Sequence, residues 1–140
     1  LSGDLGLAKG PYWIDLPGNI EVQVRPLDTS LYYQAKAWTT AKFATIIEDR
    51  ANVEMVGGTV EGLPDLETEH GRAGFWEYLY VCGLAVAGIM DWKRVVGEDK
   101  AILDVTEAEI CKQMRRIGVA EEFVGKYTSE RNLVLAEGNA

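Results

Sequence analysis

Hydrophobic and polar positions change their period along this chain, and each change marks an element. Ile20-Glu21-Val22-Gln23-Val24-Arg25 alternates strictly, the pattern of a strand with one buried face. Tyr12-Trp13-Ile14-Asp15-Leu16 precedes it across Pro17-Gly18-Asn19, and Gly and Asn accept the positive φ that tight turns need. The spacing predicts a β-hairpin over residues 12–25, closed by Pro26, which has no N–H to give a ladder. From Asp28-Thr29-Ser30, three residues with cap oxygens, the period becomes helical. Leu31, Tyr32, Ala35, Trp38, Phe43, Ile46 and Ile47 then fall in one stripe, with Gln34, Ala37 and Thr40 opposite. That predicts an amphipathic helix over 29–52, with Trp38 and Phe43 turned to the core.

The stretch Phe75–Ile89 has no polar face at all, and Glu77 is its one charge. A helix of that length covers roughly 22 Å, short of the ~30 Å of a bilayer core, so it reads as a buried helix over 69–91. Trp76, Leu79, Leu84 and Val86 are its expected inaccessible residues. Gly83 and Ala87, one turn apart, leave a smooth strip for a second backbone. Asp91–Val96 leaves this helix with Trp92 folded back on its end, and Gly97–Lys100 turns the chain into a small ribbon with Ala101–Leu103. Thr106-Glu107-Ala108-Glu109 is a capping box opening a helix with Ile110, Met114 and Ile117 on one side. Arg115 and Arg116 suit its last turn, and Gly118 stops it. A further helix starts near Ala120, carries Phe123 and Tyr127, and is interrupted at Thr128-Ser129. The apolar patch Leu133, Val134 and Leu135 follows.

Together these elements predict one domain over residues 1–140, mainly α, with four to five helices around a central apolar helix and a small N-terminal β-hairpin. Residues 1–10 form a loose arm, 53–68 an acidic loop, and 106–137 the C-terminal helices.

Charge narrows the partners. The net charge is −8, which repels nucleic acid and anionic lipid, and the adjacent basic pairs are only Lys93-Arg94 and Arg115-Arg116. Seven acids and one base lie in Glu48–Glu69, so six of the eight surplus negative charges are there. Carboxylates bind hard cations, but no D-x-D-x-D-G spacing is present, and the stretch reads as a solvated loop with no metal. Cys82, inside the apolar helix, reads as a small buried residue with its thiol pKa raised. With no signal-peptide pattern, two cysteines point to a reducing cytoplasm. The start at Leu1 instead of Met is consistent with a preceding segment.

Catalytic patterns are missing. There is no Gly-rich phosphate loop, no C-x-x-C and no nucleophile elbow, and His70, the one histidine, sits beside charged residues at a helix start. Glu121 and Glu122 diverge by about 100° on a helix. The residues predict a non-enzymatic protein without a cofactor.

The order of parts carries one resemblance. W-I-D-L-P-G-N-I-E-V-Q-V-R-P-L leads into an Ala-rich helix, a charged loop and an apolar helix ending in D-W-K-R-V. I-L-D-V-T-E, F-x-x-x-Y and A-E-G-N follow. This resembles the small tail assembly chaperone-like proteins of long-tailed bacteriophages and prophages, encoded between the tail tube and tape-measure genes. Its particular residues are Arg25-Pro26, Trp92, Val105-Thr106, Phe123, Tyr127 and Glu137-Gly138-Asn139. The resemblance implies that the chain binds the tape-measure protein, or another tail protein, in the host bacterial cytoplasm and keeps it soluble during assembly. It leaves open a second role, as a structural component of the virion tail or head-tail connector. It also implies a Gly/Ser/Pro-rich tail after Ala140. The expected contacts are the second face of the hairpin and Leu133, Val134 and Leu135, with a second copy of the chain as a further neighbour.

Overall fold

The computed structural model describes residues 10–55 and 66–139, the side chains of 51–55 and 130–139 excepted. Its elements are β1 (Tyr12–Leu16), β2 (Ile20–Val24), α1 (Thr29–Met55), α2 (Glu69–Gly88), β3 (Ile89–Lys93), α3 (Glu107–Met114) and α4 (Val119–Asn139). The expected arm at 1–10 and most of the loop at 53–68 lie outside the described residues. Where they end, Leu66 is buried and Thr68 caps α2, its hydroxyl accepting the Gly71 N–H at 2.9 Å.

The fold class differs from the mainly α expectation. Among the described residues there are four helices and a three-stranded antiparallel sheet in the order β1-β2-β3, so the class is mixed α/β. The hairpin is as expected, with Ile14 opposite Val22 and Leu16 opposite Ile20. Gly18 and Asn19 take φ of 87° and 60° in its turn. The third strand comes from residues expected to end the apolar helix. That helix stops at Gly88, Ile89 turns to φ −72° and ψ 126°, and Val22 pairs with Trp92. Nothing in Ile-Met-Asp-Trp-Lys forbids another helical turn. The cause is long-range: β2 has an unpaired edge, and β3 satisfies its N–H and C=O groups. Trp92 therefore enters the sheet core instead of folding on the helix end, and its Nε1 donates to Leu103 O at 2.8 Å. The expected ribbon reduces to a bridge between Val96 and Ile102.

One face of the sheet is covered. Ile14, Leu16, Ile20, Val22, Val24, Ile89 and Trp92 are buried there with Phe123 and Tyr127 of α4. The outer face is polar, with Glu21 paired to Arg94 at 2.7 Å and the Lys93 ammonium 4.3 Å from the Trp13 ring centroid. That guanidinium holds the Glu21 carboxyl below its ordinary range. Helix α4 runs unbroken through Thr128, whose hydroxyl donates to Val124 O at 2.7 Å; satisfied inside the helix, that side chain does not interrupt it.

The α1–α2 crossing is close. A Cβ on Gly83 would lie 2.8 Å from Ala35 O and 2.8 Å from Thr39 Oγ1. Thr39 is fully buried and donates to Ala35 O at 2.8 Å. Leu79 and Leu84 are buried as expected, whereas Trp76, Val86, Trp38 and Phe43 are only partly covered and Ile47 is exposed. The crossing rests on small residues, so the large ones sit beside it.

Two glycines of α2 should therefore respond with opposite sign. Gly83→Ala forces a backbone apart and should cost ~1–3 kcal/mol. Gly74→Ala, with nothing within 4 Å of its Cβ, should gain about 0.5–1 kcal/mol from helix propensity. Urea denaturation of the two variants reads both, and equal effects would show the crossing to be loose.

Candidate functional site

A groove of ≈ 1000 Å³ lies between α2, the α3–α4 turn and α4. Helical spacing builds its walls. Phe75, Tyr78 and Val81 project from one side of α2, and Val124 projects from α4. The turn between α3 and α4 closes one end, where Gly118 adopts φ 83°. Helix α4 begins at Val119, and Lys126 ties it to the hairpin by donating to Asp15 O at 2.8 Å while pairing with Glu122 at 2.9 Å. With α4 held against β1, the groove beside α2 stays open.

Ile117 departs from its expected place. Helical spacing puts it on one side with Ile110 and Met114, and those two are buried. Helix α3, however, ends at Met114 with Arg115 as its C-cap. The helical phase is lost before residue 117, and Ile117 stands 101% exposed on the groove's edge. Gly125 lines the same groove, and a Cβ there meets nothing within 4 Å. A glycine inside a helix costs roughly 0.5–1 kcal/mol relative to alanine, and no packing partner explains this one.

Charges lie on the rim. Among the described residues, Glu77, Arg115 and Glu121 have no ion-pair or side-chain hydrogen-bond partner. Arg116 is engaged, donating to Gln113 Oε1 at 3.1 Å and lying over Gly18 of the hairpin turn.

Behind the α2 wall, Tyr78 donates its hydroxyl to Cys111 O at 3.1 Å. Cys82, one turn along α2, interacts with the Cys111 thiol. Both thiols are free. That interaction and burial push the Cys111 thiol up, while the same interaction lowers Cys82, against the raised value expected from its apolar surroundings. The two titrate as a pair. Burial also raises Tyr78, which stays a neutral donor.

Leu133, Val134 and Leu135 fall within the span of α4, but their side chains lie outside the described residues. The hairpin's second face is the polar one carrying Trp13. His70 is exposed at the start of α2. Among the described residues, no three His, Cys, Asp or Glu side chains are placed to hold a metal ion, and no helix is long and apolar enough to cross a membrane. The groove thus has an apolar floor between charged rims.

No known protein family, curated protein sequence or solved structure matches this chain.

Native thiol labelling at pH 8 should be at least about tenfold slower than in the unfolded chain, because Cys82 is fully buried and Cys111 is held as a thiol. Reaction of both cysteines at the unfolded rate would place the pair at the surface.

Proposed function

We propose that this chain is a non-enzymatic binding protein that seats an apolar helical segment of a protein partner in the α2–α4 groove. The supporting observation is the groove itself: an open apolar floor, unpaired charges at its rim and a helical glycine that leaves room. An amphipathic helix with anchors at i, i+3 or i+4, and i+7 suits such a groove. With the resemblance to tail assembly chaperone-like proteins, the partner is a tape-measure protein, a long apolar helical chain, kept soluble in the host bacterial cytoplasm while the tail forms. The net charge of −8 supports the solubility of such a complex.

Gly125→Leu separates binding from folding, since it fills the groove without displacing any neighbour of its Cβ. The variant should melt no lower than the parent. Co-expression of the parent with a tape-measure protein should raise that protein's soluble yield several-fold, and Gly125→Leu should remove most of the gain. Leu133→Asp with Leu135→Asp tests the C-terminal patch in the same way. Full rescue by Gly125→Leu would take the partner off this groove. No rescue by the parent, with the chain at fixed copy number in purified virions, would favour the structural-component reading.

A further inference from the structure

We infer that the same groove is a contact between two copies of this chain, with Ile117 of each copy seated in the groove of the other. Three observations carry this, and none depends on the tape-measure reading.

The surface holds both a projection and a recess. Ile117 is fully exposed at the groove's edge, while Gly125 leaves an opening on α4 that no part of the described chain fills. A twofold contact needs such a patch, because the same surface must supply both complementary halves.

The rim charges are also self-complementary. Arg115 on the turn and Glu121 on α4 are unpaired among the described residues. Facing a second copy about a twofold axis, position 115 of one meets position 121 of the other, and the reverse contact forms with it. A chain of net charge −8 repels itself on most of its surface, so a patch with an unpaired arginine beside unpaired acids is where two copies approach at least cost.

The patch is apolar between its charges. Phe75, Val81 and Val124 are partly exposed along the floor, and Ile117 adds an aliphatic side chain that makes no use of its own chain's core. Covering these removes apolar surface from water in both copies. The dimer and the helical partner would occupy one groove, so the partner must displace the second copy.

Sedimentation velocity of the purified chain alone tests this. The parent should sediment as a monomer–dimer mixture over a range around ~10–100 µM, and Ile117→Asp should weaken association by about a hundredfold. That residue is fully exposed, so its replacement leaves the fold intact, which thermal melting verifies. Arg115→Glu alone and Glu121→Arg alone should each be monomeric, whereas their equimolar mixture should recover a heterodimer, because both cross-contacts are then restored. A parent that stays monomeric at ~500 µM, an Ile117→Asp variant that still dimerises, or a mixture that fails to associate would each overturn the inference. Loss of the tape-measure rescue by Gly125→Leu, with this dimer absent, would leave the binding reading standing and remove this one alone.

Discussion

The C-terminal end of α2 is closed by groups that come from elsewhere in the chain, and the two layers meet there. A helix leaves its last carbonyls without partners. Here the Arg25 N–H donates to Gly88 O at 2.9 Å and the Arg25 guanidinium donates to Ala87 O at 3.0 Å. The positive group also complements the helix dipole. Tyr127, fully buried on α4, donates its hydroxyl to Arg25 O at 2.6 Å. A Cβ on Gly88 would collide with that hydroxyl, so glycine is required for the approach. Four elements therefore depend on one small cluster: the end of β2, the α2–β3 junction and the middle of α4. Burial raises the Tyr127 pKa, so the group stays a donor through the neutral range.

That cluster also explains why the groove exists. It fixes α4 against the sheet at Tyr127, and Lys126 fixes the adjacent position to β1. The first turns of α4 follow the hairpin instead of α2. Meanwhile α2 is drawn the other way, onto α1, by the close approach at Gly83. Two tight attachments on opposite sides leave a gap that neither helix can close without breaking a buried contact. The gap is a consequence of where the small residues and the hydroxyls are, and its apolar lining is the cost of that arrangement.

Much of the local structure was legible in the chain. The hairpin followed from strict alternation and a Pro-Gly-Asn turn, and Thr106 caps α3 as its sequence motif implies, accepting the Glu109 N–H at 3.2 Å. Gly83 was readable as a site of close approach. What could not be read were outcomes set by distant partners. Ile89–Lys93 is a strand because β2 offers an edge, and no local signal in those five residues states it. No local signal singles out Thr39; its burial follows from Gly83, more than forty residues away. The groove was least legible of all, because the phase of Ile117 depends on where α3 ends, and a helix end is the least certain feature of a periodic pattern.

The central position of β2 has a consequence for how the protein is made. Its first neighbour, β1, precedes it immediately, but its second, β3, begins only at Ile89, and the hydroxyl that closes Arg25 O lies 102 residues downstream. At synthesis rates of about 5–20 residues per second, the nascent hairpin waits roughly 5–20 s before Tyr127 covers its apolar face, and a shorter time before β3 pairs its edge. The polar turn and the charged residues Glu21 and Arg25 lie along that waiting edge. In this chain the first element synthesised is thus completed by the last.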